Sequence, residues 1–119
     1  MTIKISTARE TAPGEQRTAL VPETANKFAT LGASLCLEQG AGLASHFLDG
    51  DYAGVSLAAD LAASYAGAQL ILRVTPPSEA EIAAMPDGAV LIGLLKPYES
   101  KARLAALNAK RITAFSLEL

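Results

Sequence analysis

Apolar residues along this chain gather in short runs separated by amphipathic stretches, and that alternation is its main structural signal. Ile3 and Ile5 mark the first run, which reads as a strand because β-branched side chains suit a pleated surface. Pro22 opens a helical stretch: proline fits a first turn, Ala25, Phe28 and Leu31 fall on one face, and Gly32 supplies a stop. Ala33 to Glu38 is the second strand, closed by Gly40-Ala41-Gly42. A second helix is expected with Ser56 as its cap, Leu57, Leu61 and Tyr65 along it, and Gly67 at its end. Ala68 to Val74 is apolar until Arg73, as a strand buried on both faces would be, and Pro76-Pro77 ends it because proline donates no ladder hydrogen bond.

Ser78 and Glu81 have capping-box spacing ahead of Ile82 and Met85, so a short helix follows. Asp87-Gly88 is a turn, and Ala89 to Leu95 the fourth strand. Pro97 then opens the last helix, with Glu99 in its first turn and Lys110-Arg111 at its end, where the helix dipole favours cations. Ile112 to Leu117 is the fifth strand. Strands alternating with helices predict an α/β domain with a mainly parallel sheet of about five strands and right-handed crossovers. The run stops at Leu119 directly after a strand, with no helix to close the layer, which suggests part of a longer unit.

Composition narrows the picture. A chain of 119 residues suits one domain with a real core, and with half its residues hydrophobic but only 5% aromatic, alanine and leucine must build that core. A net charge of -2 and a pI near 5.3, with no Lys/Arg cluster, leave no basic field, so no nucleic acid is expected as partner. Cys36 is the single cysteine and sits in an apolar run, which makes it a small buried hydrophobe in a reducing compartment. One cysteine allows neither an intrachain disulfide nor a cysteine metal site. The amino terminus reads as a strand start rather than a signal segment, and no run approaches the roughly 18 apolar residues of a membrane span.

Candidate chemistry concentrates in the loop Arg9 to Pro22. Pro13-Gly14 forces a turn from which Arg9 and Arg17 can project, and two fixed guanidinium groups suit an anionic ligand. The plainer reading is solvated loop charges paired to Glu10 and Glu15. In a parallel sheet the carboxyl edge would collect this loop with Arg73, Lys96 and Glu118, so that Arg17, Arg73, Lys96 and Glu118 line one crevice. Gly40-Ala41-Gly42 imitates a dinucleotide fingerprint, but Ser45 replaces the third glycine and no clear helix follows, so a turn that lets backbone pack closely is expected. His46 lacks a neighbouring acid or nucleophile and reads as structural or surface, while Asp49, Asp51 and Asp60 lack calcium-loop spacing; no metal site is expected.

Several stretches taken together carry a family likeness. Arg9-Glu10, Pro13-Gly14-Glu15, Arg17-Thr18-Ala19-Leu20-Val21-Pro22-Glu23 and Leu37 to Gly42 resemble the start of the alanine dehydrogenase and NAD(P) transhydrogenase family. Ala68 to Val74, Asp87 to Leu91 and Lys110 to Leu119 extend the likeness over the whole chain. The resemblance implies a flavodoxin-like or Rossmann-like three-layer unit, with residues 1–119 as the amino-terminal domain and the NAD-binding Rossmann domain lying further along.

Within the family, alanine dehydrogenases carry a lysine after the third strand and a histidine after the fourth; Thr75 and Lys96 stand there instead. Threonine supplies no ammonium charge, and lysine is no neutral acid-base at pH 7. The resemblance therefore points to the NAD(H)-binding component of the proton-translocating transhydrogenase alpha subunit. It implies NAD(H) as cofactor of the full-length protein, with Arg17 facing the nicotinamide side and Glu118 near the domain junction. No residue of this stretch is assigned a catalytic role, and alone it should bind NADH weakly or not at all. The partners implied are the Rossmann domain of the parent chain, NADP(H)-binding and membrane components, and a second copy in a homodimeric parent. The implied location is the cytoplasmic side, as a soluble domain peripheral to the inner membrane. An alanine dehydrogenase, the related saccharopine-forming reductases and a free-standing binding or assembly module are the alternatives.

Overall fold

Strand β1, Lys4–Thr7, lies in the middle of the sheet, and in the computed structural model, which describes residues 2–118, the other elements extend from it on both sides. The chain proceeds through α1 (Pro22–Thr30), β2 (Ser34–Glu38), 3-10 turns at Leu43–Ser45 and Asp49–Asp51, and β3 (Ser56–Ala58). It then forms α2 (Leu61–Tyr65), β4 (Leu70–Leu72), α3 (Glu79–Ala83), β5 (Val90–Gly93), α4 (Lys101–Ala109) and β6 (Thr113–Ser116). All strand pairs are parallel, in the order β3-β2-β1-β4-β5-β6, with Ile5 opposite both Leu35 and Leu70.

The sheet thus has one strand more than the apolar runs predict. Ser56 is not a helix cap: it starts β3, pairing with Cys36, and Leu57 pairs with Leu37. The helix begins later, where the Asp60 carboxylate accepts the Ala63 N–H at 2.8 Å. Three residues at a sheet edge show no periodicity, which is why this strand is silent in sequence. Its presence changes the topology. Without β3 the order would be 2-1-3-4-5, that of flavodoxin; with it the order is 3-2-1-4-5-6, that of the Rossmann fold.

Other boundaries shift for local reasons. The last helix starts at Lys101, because the Ser100 hydroxyl accepts the Arg103 N–H at 3.1 Å; Pro97 and Glu99 lie in the turn before it. Leu31 follows the last turn of α1 and is 82% exposed rather than buried. The capping box is as expected, with Glu81 N–H donating to Ser78 Oγ at 3.1 Å and Ser78 N–H to Glu81 Oε1 at 2.8 Å.

Two apolar layers flank the sheet. On one face α1 and the loop after β2 cover Ile5, Leu35 and Leu37, with Leu20 and Tyr52 fully packed among them. On the other, Ile71 and Leu91 pack with Tyr65, Ile82 and Leu107 from the remaining helices and with Met85 just beyond α3. Cys36 is buried and free. Burial of these layers is the main force for folding. Among the described residues, no helix is long and apolar enough to cross a membrane.

Candidate functional site

Leaving β1, the chain enters the long loop Ala8–Val21; leaving β4, it enters the segment Arg73–Pro77. β1 and β4 are neighbours from which the two halves of the sheet run in opposite directions, so the gap between these loops is a topological switch point, where such sheets bind ligands. A crevice of about 310 Å³ opens there, lined by Pro13, Gly14, Glu15 and Arg17 from the first loop and by Val74, Thr75 and Pro76 from the second. Leu94, Lys96 and Glu118 complete it. That volume is at the low end for a small-molecule pocket, roughly 300–1,000 Å³.

Arg17, Thr75, Lys96 and Glu118 therefore share one crevice. Arg17 keeps 63% of its side chain exposed, and its Nε and Nη2 donate to Glu15 Oε2 and Oε1, each at 2.9 Å. Its backbone N–H adds a bond to Glu15 Oε2 at 2.8 Å. Held this way, first by the guanidinium hydrogen bonds, the Glu15 carboxyl is lowered to a pKa of about 2, and Glu15 in turn raises that of Arg17. The pairing expected for a plain loop charge is thus present, with the pair still on the crevice rim.

Lys96 has φ +46 immediately before Pro97, an unfavourable conformation for a residue with a side chain. Its N–H donates to Glu118 Oε1 at 2.5 Å, and the Ser116 hydroxyl donates to the same oxygen at 2.8 Å. The Lys96 N–H first, then that hydroxyl, hold the Glu118 carboxyl below its usual range. The Lys96 ammonium lies 4.0 Å from Glu99.

Arg73 does not line this crevice, but with Arg17 it borders a second cavity of about 400 Å³. Only 1% of its side chain is exposed, and the guanidinium is engaged behind the crevice wall. Nη1 donates to Glu81 Oε2 at 2.9 Å and to Tyr65 Oη at 3.2 Å, Nε to the Thr75 carbonyl at 3.0 Å, and Nη2 reaches Glu10 Oε1 at 3.5 Å. Burial opposes its charge, but Tyr65, Glu10 and Glu81 outweigh burial and raise its pKa above the ordinary arginine value. Burial likewise raises the Tyr65 phenol. The Thr75 hydroxyl donates to Glu10 Oε1 at 2.6 Å, and the Val74 and Thr75 N–H groups donate to the same carboxylate, each at 3.0 Å. Glu10 and Tyr65 were not site candidates by sequence. The available signal was Arg73 itself, a cation in an apolar run that demands buried counter-charge.

Gly40-Ala41-Gly42 forms a close-packed turn. A Cβ on Gly42 would stand 2.5 Å from Tyr52 Oη and 3.0 Å from Phe47 Cβ, so the space a pyrophosphate would need is filled by side chains. The Tyr52 hydroxyl donates to the Leu20 carbonyl at 2.7 Å. Nor does a tight glycine turn link β1 to α1. At neither place do the described residues form a glycine turn that cradles a phosphate. His46 is exposed with φ +68, and among the described residues no three metal-ligating side chains converge.

The strand order, with a crevice at its reversal, defines a Rossmann-like α/β domain. Residues 6–119 match the alanine dehydrogenase/PNT, N-terminal domain family, and the chain belongs to it. It is 30% identical over 119 aligned positions to NAD(P) transhydrogenase subunit alpha of Cereibacter sphaeroides, covering 98% of this chain and 23% of that protein. Alanine dehydrogenase of Halomonas elongata is 34% identical over 95 positions, covering 78% of this chain and 26% of the relative. The crystal structure of transhydrogenase from Sinorhizobium meliloti superposes with a TM-score of 0.89 at 33% identity, over 95% of this chain and 34% of that one. These relatives are oxidoreductases, and the chain spans about a quarter to a third of their length.

Proposed function

We propose that this chain is the amino-terminal domain of the NAD(H)-binding component of a proton-translocating NAD(P) transhydrogenase and forms one wall of its nucleotide cleft. In that enzyme hydride passes between NAD(H) and NADP(H). The observation that carries the reading is the state of the crevice. Arg17 is clasped by Glu15, and Thr75, which stands where an alanine dehydrogenase would carry its lysine, gives its hydroxyl to Glu10, so that part of the wall is ordered and offers no ammonium to a keto-acid carboxylate. Glycine backbone at Gly14 and the exposed rim cation Arg17 suit contact with the nicotinamide end, while a Rossmann domain of the parent chain would hold the phosphates.

The site residues in this reading are Arg17, Thr75, Lys96 and Glu118, and their work is positioning and shielding rather than proton transfer. The reading carries with it an NADP(H)-binding component, a membrane component, a homodimeric parent and a place on the cytoplasmic face of the inner membrane. Arg17→Ala in the full-length protein, assembled with those components, should lower NADH-to-NADP hydride transfer about ten-fold with nearly unchanged melting; unchanged transfer refutes the role. The likeness to the Halomonas elongata enzyme favours a second reading, an alanine dehydrogenase domain. Pyruvate- and ammonium-dependent NADH oxidation by the full-length protein would establish it in place of the first.

A further inference from the structure

Behind the crevice, three segments distant in sequence meet on one buried cluster. Glu10 comes from the loop after β1, Arg73 and Thr75 from the end of β4, and Glu81 from α3. The side chains of Arg73 and Glu10 are only 1% and 2% exposed. Arg73 carries one positive charge against two carboxylates, so pairing with Arg73 alone does not satisfy Glu10. The remaining acceptor capacity of Glu10 goes to Val74 N–H, Thr75 N–H and Thr75 Oγ–H. Val74, Thr75 and Pro76 are the crevice wall that faces Gly14 and Arg17, and Glu10 lies on the strand exit that leads to those residues.

We propose that Glu10 is a positioning residue: its carboxylate ties the Val74–Thr75 backbone to the β1 loop and so fixes the separation of the two crevice walls. This rests on the reading of the crevice as the nicotinamide side of a nucleotide site, and extends it by naming the residue that holds the geometry. A carboxylate is required. Oε1 accepts from Thr75 N–H and Thr75 Oγ–H, and Oε2 accepts from Val74 N–H, so glutamine in either amide orientation turns an NH2 group toward a donor of the wall. Glu81 offers the matched comparison, since it binds the same Arg73 but caps α3 instead of the crevice wall.

The test compares Glu10→Gln with Glu81→Gln in this chain by amide hydrogen exchange. Both variants should lower the melting temperature. Only Glu10→Gln should speed exchange at the Val74 and Thr75 amides, by about ten-fold or more beyond core amides such as Ile71 and Leu91. Equal acceleration in the two variants would overturn the proposal. Should Glu10→Gln fail to fold, Thr75→Val removes one donor to Glu10 and Thr75→Ser keeps it; the valine variant should loosen the same amides and the serine variant should restore them, and no difference between the two is equally fatal. NADH titration of the full-length protein separates the two readings. Loosened amides with about ten-fold weaker NADH binding support both, whereas loosened amides with unaltered NADH binding leave the clamp standing and overturn the nucleotide reading.

Discussion

Arg17 and Arg73 stand at the same edge of the sheet and each is held by glutamate, yet one guanidinium is largely exposed while the other is sealed behind the wall. The exposed one has a single partner two residues away, a local clasp that water can replace. The sealed one binds two carboxylates, a phenol and a carbonyl from four segments, so its charge is compensated only when the fold is complete. Charge of one chemical type thus serves opposite ends. At the rim it stays available to a ligand; inside, it joins the two loops that form the crevice.

The contrast breaks most readily at Arg73. Arg73→Met leaves Glu10 and Glu81 without their shared cation, and should cost about 3–5 kcal/mol in urea unfolding, because a buried charge then lacks its partner. Adding Glu81→Gln to that variant should regain part of the loss, whereas adding Glu10→Gln should not, because the Val74 and Thr75 donors still require a carboxylate there; a single-variant cost near zero would mean that water already reaches the cluster. Gly93→Ala attacks the same region through the backbone. Its Cβ would stand 2.5 Å from the Arg73 carbonyl oxygen, so β5 must shift away from β4, at about 1–3 kcal/mol in the same assay.

The smallest effect is expected at the rim. The folded Glu15 carboxyl, lowered from 4.5 to about 2, contributes stability that is present above pH 4.5 and is lost as pH falls toward 2. Arg17→Ala removes the clasp, so the melting temperature should change by only about 1 °C at pH 7, with a shallower decline between those two pH values. A large loss at pH 7 would erase the distinction between the two arginines.

Much of this arrangement is legible in the chain. Buried parallel strands advertise themselves as apolar runs: β2, β4, β5 and β6 lie within theirs, while β1 overlaps the run at Ile3 and Ile5 and continues through the polar Ser6 and Thr7. The carboxyl-edge rule brings Arg17, Lys96 and Glu118 together from the order of elements alone. What escapes is set by contacts distant in sequence. β3 exists because Cys36 to Glu38 offer it a free edge, and no pattern within Ser56–Ala58 records that. Arg73 turns inward because Glu10 waits 63 residues earlier, and a run that ends in a charge reads the same whether the charge faces water or a carboxylate.

The central place of β1 has a consequence for the order in which a ribosome would release this fold. Ile5 needs Leu35 on one side and Leu70 on the other, so its first edge can pair once β2 has emerged, while its second stays open until β4 follows. Between those moments the nascent chain carries the middle strand of its future sheet as an exposed edge, the kind of surface that recruits a neighbouring chain. Synthesis slowed between residues 38 and 70 should therefore aggravate aggregation, because β1 gains its second partner only when β4 has emerged.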